Sequence, residues 1–82
     1  IRSYLVTKLA ILGAGKMGKL LAQLAPESGF SLVAQLDRDE TSRGFSAAAL
    51  NGAEVVIEFT EPHAAAALVR RCAELGVPVV SG

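Results

Sequence analysis

Three glycines at a fixed spacing constrain this chain more than any other feature. Gly13, Gly15 and Gly18 form the pattern Gly-x-Gly-x-x-Gly, which follows an apolar run at 8–12 and opens a helix-like stretch at 16–25. In that context the first glycine permits a tight turn, the second leaves room for a pyrophosphate, and the third lets the helix pack on the strand. Free amides at the start of the helix then favour an anionic ligand. We therefore expect a strand–loop–helix unit that holds a dinucleotide, NADH or NADPH.

Four short apolar runs alternate with helix-like or polar segments. The runs cover residues 8–12 (with a possible extension back to Tyr4), 31–36, 54–59 and 77–80. Runs of this kind are typical of strands that are buried on both faces of a parallel sheet. The alternation predicts an α/β fold, a Rossmann-like parallel sheet with flanking helices, in the order β-α-β-(α)-β-α-β.

Two helices are predicted between the runs. The helix at 16–25 should bury one apolar stripe, formed by Met17, Leu20, Leu21 and Leu24. The last helix should begin at an N-cap on Thr60 and stop at Gly76. Its buried face should consist of Leu68, Val69, Cys72 and Leu75. Residues 39–53 either hold a short helix around 46–50 or remain a loop.

An acid and an arginine stand side by side at the end of the second run. Asp37 lies nineteen residues after Gly18, where an acid accepts hydrogen bonds from the adenosine ribose and favours NAD. Either Arg38 or Arg43 can pair with a 2′-phosphate and admit NADP as well. The alternative for Asp37 is an ordinary polar strand end. Lys16 either meets a phosphate or is a solvated lysine in the first helical turn.

The end of the third run should face the same crevice as the glycine loop, because ligands bind beyond the carboxyl ends of parallel strands. Phe59 and Thr60 are therefore candidate cofactor contacts, although Phe59 can equally be core and Thr60 only a cap. His63 is expected to be exposed or capping. Glu58 is unusual in a mostly apolar strand, and the sequence offers no firm account of it.

Two further predictions concern the last helix. Cys72 is expected to be a small core residue rather than a nucleophile, because it lies on the apolar face. The pair Arg70 and Arg71 is expected on a solvated face. No Ser–His–Asp spacing and no Cys/His cluster is present, so neither a catalytic triad nor a metal site is predicted.

Composition narrows the class of protein. The net charge is zero and no basic face is evident, which argues against nucleic-acid binding. No apolar run approaches the roughly 20 residues that cross a bilayer. The single cysteine fits a reducing cytoplasm. The small size and the first residue, which is not Met, predict that the 82 residues are a fragment of a longer protein.

Four stretches in order resemble the family of 4-hydroxy-tetrahydrodipicolinate reductase (dihydrodipicolinate reductase) of bacterial lysine biosynthesis. They are GAGKMG at 13–18, LDR at 36–38, VVIEFTEP at 55–62 and CAELGVPVVSG at 72–82. Two differences from the family pattern stand out: the glycine loop is often one residue longer, with Arg in place of Lys16, and an Asp usually stands in place of Glu58.

The resemblance implies a set of cofactor contacts. The pyrophosphate would be lined by Gly13, Ala14, Gly15, Lys16, Met17 and Gly18. The adenosine ribose and any 2′-phosphate would meet Asp37 and Arg38, and the nicotinamide ribose would lie near Phe59, Thr60 and Gly82. The resemblance also places the family's catalytic residues, substrate loop and homotetramer interface in a later domain. We therefore expect residues 1–82 to be an NAD(P)-binding domain without catalytic residues, inactive on its own.

Two competing hypotheses belong to other classes of function. The chain can be a stand-alone or engineered minimal module that binds a dinucleotide without catalysis. It can also serve a structural role and self-associate through an exposed sheet edge.

Overall fold

The computed structural model describes residues 6–82, which form a parallel sheet flanked by helices. The strands are β1 (Thr7–Leu12), β2 (Phe30–Leu36), β3 (Val55–Glu58) and β4 (Val79–Ser81), in the spatial order β2-β1-β3-β4. All three strand pairs are parallel. The predicted α/β class is confirmed, and each predicted strand is present. The possible extension of the first strand to Tyr4 lies outside the described residues.

Strand β1 is central because its two faces supply two separate cores. Ala10 and Leu12 point to one face, into a cluster that includes Leu36, Val56 and Cys72. The alternate residues of β1, Leu9 and Ile11, point to the other face and pack with residues of the first helix. Apolar residues at every position from 9 to 12 are thus explained by burial on both sides of the sheet.

Helix α1 (Lys16–Leu24) has the predicted bounds to within one residue, but of its predicted buried stripe only Leu21 meets the sheet. Met17, Leu20 and Leu24 are exposed. The face that meets the sheet is formed by Gly18, Leu21, Ala22 and Ala25. The helix is rotated by one residue from the prediction because Gly18, with no side chain, lies against the glycine loop and brings small residues to the sheet.

Helix α3 (Pro62–Glu74) packs on the opposite face. Leu68 and Cys72 are buried, and Val69 is partly buried, as predicted. The predicted N-cap is wrong, since the N-cap position is held by Glu61, which makes no capping side-chain hydrogen bond. The hydroxyl of Thr60 instead donates to Glu58. Gly76 follows the helix with a positive φ of 75°, which explains the predicted stop.

The uncertain middle segment holds two short elements. Residues Ala47–Leu50 form a 3₁₀ turn, which confirms a short helical element near the predicted place. A further helix, α2 (Arg38–Ser42), was not predicted. Its start is a capping box, in which the Asp37 carboxylate accepts from the Glu40 amide and the Glu40 carboxylate accepts from the Asp37 amide. Among residues 6–82, no helix combines the length and the apolar character that crossing a membrane requires.

Candidate functional site

The sheet changes winding direction at β1, and this places a crevice at the carboxyl ends of β1 and β3. The chain runs from β1 to β2 on one side and then crosses to β3 on the other. In open parallel sheets, ligands bind at such a switch point. The backbone amide of Phe59 donates to the Leu12 carbonyl at 2.9 Å, and that of Gly13 donates to Leu36 at 2.8 Å. The two loops that border the crevice are thus anchored on the sheet.

A groove of about 680 Å³ opens at this point, within the volume range of small-molecule sites. Its floor is the glycine loop, and its walls are α2 on one side and the start of α3 on the other. The lining residues are Gly13, Ala14, Gly15, Arg38, Thr41, Ser42, Phe59, Thr60, Glu61, His63, Ala64, Ala67 and Leu68. The predicted meeting of the glycine loop with Phe59 and Thr60 is confirmed.

Two glycines of the motif are required by packing. A Cβ on Gly13 would lie 2.6 Å from the Phe59 carbonyl oxygen, and the φ of Gly13 is +129°. A Cβ on Gly18 would collide with the carbonyl of Gly13. The Gly13 carbonyl also accepts a hydrogen bond from the side chain of Gln35 at 3.1 Å. Gln35 was not singled out from the sequence, although a polar side chain inside an apolar strand was an available signal.

Gly15 differs from every other glycine in the chain because folding does not require it. A Cβ there would meet nothing within 4 Å, and its φ of −75° is open to any residue. The remaining glycines each have either a positive φ or a close neighbour. Gly15 lies on the groove floor, at the N-terminus of α1. The bare backbone at this position therefore leaves space that the protein itself does not fill.

The acid and the arginine at the end of β2 have different surroundings. Asp37 is exposed and caps α2 through one oxygen, Oδ1, so its role in folding is more specific than an ordinary strand end. Arg38 lines the groove and pairs with Glu61, with Nη2 and Oε1 2.6 Å apart. Arg43 lines a separate hollow of about 290 Å³ on the other side of α2. Of the two arginines left open by the sequence, only Arg38 faces the groove.

Glu58 is fully buried beneath the far wall and joins β3 to β4. Its carboxylate accepts hydrogen bonds from the Thr60 amide at 2.6 Å, from the Thr60 hydroxyl, and from the Ser81 hydroxyl at 2.5 Å. Burial alone raises the pKa of Glu58, but these hydrogen bonds outweigh burial and hold the pKa below its ordinary value. Glu58, for which no role was predicted, is a buried, ionised support for the groove edge.

Gly82 lies behind Phe59 rather than on the groove surface. Its amide donates to the Glu58 carbonyl at 2.9 Å. A Cβ on Gly82 would collide with the ring of Phe59. Phe59 is half-buried and also lines the groove. Its two predicted roles, as a core residue and as a cofactor contact, are therefore compatible.

Two further residues that were predicted to contact the cofactor lie outside the groove. Lys16 and Met17 are exposed in the first turn of α1 and do not line the groove. Several groove residues were missed: Thr41, Ser42, Glu61 and the apolar side of α3. Glu61 could have been predicted from the sequence, because it follows the carboxyl end of β3 as Arg38 follows that of β2. Opposite charges at the same edge of a parallel sheet are expected to pair.

Three titratable residues of α3 have different surroundings. Cys72 is buried in the core as predicted, and burial, together with the nearby charge of Glu58, raises the pKa of its thiol. His63 is exposed as predicted, with Nε2 3.2 Å from Oε2 of Glu61. Arg71 is not simply solvated, since its Nε donates to the Phe45 carbonyl at 2.9 Å. Within residues 6–82, no group of three or more His, Cys, Asp and Glu side chains is placed to hold a metal ion.

Comparison with known proteins decides the family. The family model described as "Dihydrodipicolinate reductase, N-terminus" matches residues 7–82. The chain belongs to this family. It is a dinucleotide-binding domain family, in agreement with the fold and the groove. The resemblance seen in the sequence is thereby confirmed, and the alternative of a stand-alone module is not favoured.

Individual dihydrodipicolinate reductases give the same assignment. The chain is 33% identical to 4-hydroxy-tetrahydrodipicolinate reductase of Acinetobacter baumannii, in a match that covers 92% of this chain and 35% of the relative. It is 37% identical to the enzyme of the same name from Thiobacillus denitrificans, over 92% of this chain and 36% of the relative. The chain thus spans about a third of the length of these relatives. No solved structure matches the chain.

Proposed function

We propose that residues 1–82 are the cofactor-binding domain of a 4-hydroxy-tetrahydrodipicolinate reductase, and that the groove holds NADH or NADPH. The complete enzyme would act in the cytoplasm, on the diaminopimelate route to lysine, and would be a homotetramer through its other domain. It would transfer a hydride to a cyclic, imine-type dicarboxylate. The family match and the names of the relatives support this assignment.

The observation that carries the proposal is the space above Gly15. Every other glycine has a reason in the fold, whereas Gly15 has none. A bare backbone at a helix N-terminus lets a pyrophosphate approach the free amides closely. The residues present therefore fit a dinucleotide, and Gly15 is the position where a side chain would obstruct it without disturbing the protein.

The remaining contacts are those that the family resemblance implies; Gly13, Ala14, Arg38, Phe59 and Thr60 among them also line the groove. Gly13, Ala14 and Gly15 would face the pyrophosphate, with Lys16, Met17 and Gly18 completing the loop. Asp37 and Arg38 would meet the adenosine ribose. Phe59 and Thr60 would border the nicotinamide ribose, and Gly82 would support the Phe59 ring from behind.

A nicotinamide held in the groove would supply the hydride, and the chain's own residues would orient it and exclude water. Glu58 contributes by holding Thr60 and Ser81, which fixes the edge on which Phe59 sits. The groove presents no proton donor that the family resemblance identifies as catalytic. We therefore expect the 82-residue chain to bind the cofactor without turnover, and oxidation of NADH by the chain with substrate present would contradict this expectation.

The test is a titration of the folded chain with NADH, followed by calorimetry, for wild type, Gly15→Val and Ala73→Val. Ala73 is exposed near the far end of α3, outside the groove, and receives the same added methyl groups as a control. We expect saturable binding by wild type and Ala73→Val and its loss in Gly15→Val. The Gly15 variant should lose no more than about 1 kcal/mol of unfolding free energy, as at an N-cap. Equal binding by both variants, or no binding by the folded wild type, would contradict the proposal.

A further inference from the structure

Arg38 and Glu61 face each other from opposite walls of the groove. Arg38 is the first residue of α2, and Glu61 directly precedes α3. Their side chains meet at 2.6 Å, between Nη2 and Oε1. The second carboxylate oxygen of Glu61 lies 3.2 Å from Nε2 of His63. The carboxylate of Glu61 is thus held between two basic side chains, all three of which line the groove.

The position of Arg38 is the one from which a cofactor's 2′-phosphate is read. In dinucleotide-binding folds the acid that ends the second strand meets the ribose hydroxyls, and a nearby arginine accommodates the phosphate of NADP. Asp37 and Arg38 hold these two places, whereas Arg43 faces a different hollow. Selection between NADH and NADPH therefore depends on whether the guanidinium of Arg38 can accept a phosphate.

Glu61 already pairs with one terminal nitrogen, Nη2, of that guanidinium. The carboxylate of Glu61 takes a donor of Arg38 that a phosphate would also use. A 2′-phosphate would have to displace Glu61 or lie beside its negative charge, with the carboxylate of Asp37 one residue from Arg38. The negative charges of the phosphate and of these carboxylates would repel one another, even in an exposed and partly screened site.

We infer that Glu61 is a specificity-determining residue that makes this groove favour NADH over NADPH by pairing with Arg38. The inference rests on the proposed function, because it presupposes that the groove binds a nicotinamide dinucleotide. A purely structural role for the pair is the competing explanation. Exposed ion pairs contribute little to stability. A structural role would change the affinities for both nucleotides alike and leave their ratio unchanged.

The experiment measures the affinities of the 82-residue chain for NADH and NADPH separately. The variants are Glu61→Gln, Glu61→Ser, Arg38→Gln and the double variant Arg38→Gln/Glu61→Gln. Glu27→Gln is the matched control, since Glu27 is an exposed glutamate outside the groove and the charge change is identical. Circular dichroism and thermal melting establish that each variant is folded.

We expect Glu61→Gln and Glu61→Ser to raise the affinity for NADPH by about tenfold at low ionic strength and that for NADH by less than about twofold. Arg38→Gln in the Glu61→Gln background should remove the gain, because the gain requires a free guanidinium. Higher salt should reduce it. The control should behave as wild type.

The outcomes separate the two proposals. If the chain binds NADH and the NADPH-to-NADH ratio stays the same in both Glu61 variants, the inference is wrong and the proposed function stands. If both Glu61 variants lose both nucleotides, Glu61 shapes the groove rather than selecting the cofactor, and the inference is again wrong. If the folded wild type binds neither nucleotide, the proposed function and this inference fail together.

Discussion

The hydroxyl of Ser81 donates to Oε2 of Glu58 at 2.5 Å and so joins the ends of β4 and β3 below the groove. The other carboxylate oxygen, Oε1, accepts from the amide of Thr60 at 2.6 Å. One buried side chain therefore fixes the ends of two strands. Because Glu58 is fully buried and its partners would be left unsatisfied without it, its removal should have a large effect.

We expect Glu58→Ala to lower the free energy of unfolding by about 3 kcal/mol and Glu58→Gln by about 1–2 kcal/mol. The alanine leaves two hydroxyls and an amide without an acceptor, whereas the glutamine retains one carbonyl oxygen. Chemical denaturation of the three proteins provides the measurement. Glu27→Gln, at an exposed glutamate, serves as the control and should lie within about 0.5 kcal/mol of wild type. A Glu58→Ala variant as stable as this control would contradict the assigned role.

The same carboxylate predicts a dependence of stability on pH. The hydrogen bonds lower the pKa of Glu58 in the folded state below its ordinary value of 4.5. The resulting stabilisation is present above the ordinary pKa and is lost as the pH falls through the folded-state pKa. The difference in unfolding free energy between wild type and Glu58→Gln should therefore be largest near neutral pH and shrink in acid below about pH 4.5. A difference that is constant from neutral to acid pH would show that the charge of Glu58 is not involved.

The glycine motif predicts a contrast between two neighbouring substitutions. A Cβ on Gly18 would collide with the Gly13 carbonyl, so Gly18→Ala should force α1 from the loop and lower the unfolding free energy by about 1–3 kcal/mol. A Cβ on Gly15 meets open space, so Gly15→Ala should lower it by less than about 1 kcal/mol. Thermal melting compares the two directly. Equal destabilisation by both alanines would mean that the close packing of Gly18 does not matter for stability.

Adjacent arginines on α3 offer a second matched pair. Arg71 donates to the Phe45 carbonyl at 2.9 Å and so holds the segment after α2 on α3. Arg70 is exposed. We expect Arg71→Ala to lower the unfolding free energy by about 1–2 kcal/mol, because the hydrogen bond and the packing of the side-chain stem are both lost. Arg70→Ala should change it by less than about 0.5 kcal/mol. Denaturant unfolding of the two variants tests this, and identical values would argue against a role for the Phe45 contact.

Much of the architecture was accessible from local patterns. Continuous apolar runs predicted the four strands, since a strand covered on both faces has no polar side. The glycine spacing placed the loop, and Gly76 ended α3 as expected. The capping box of Asp37 and Glu40 was equally local, but the spacing of Asp37 from the glycine motif indicated ribose binding or an ordinary polar strand end rather than the cap that begins α2.

Other features depended on contacts between distant parts of the chain. Helical periodicity showed that α1 is amphipathic, but several apolar stripes satisfy that period. Only the close approach of Gly18 to the glycine loop selected the face of Leu21, Ala22 and Ala25 and left Met17 exposed. Periodicity alone does not determine which face is buried, because the rotation of a helix about its axis depends on the surface against which it packs.

By itself, the sequence determined the α/β class, the position of the glycine loop and the family of the chain. Strand burial, backbone freedom and motif spacing each depend on residues that are close together in the sequence. The tertiary structure alone decided that Glu58 reaches Ser81 and that Glu61 reaches Arg38. Each of these pairs is separated by 23 residues in the chain. They meet because parallel strands bring their carboxyl ends to a single edge, where burial selects hydrogen-bonded partners and opposite charges attract.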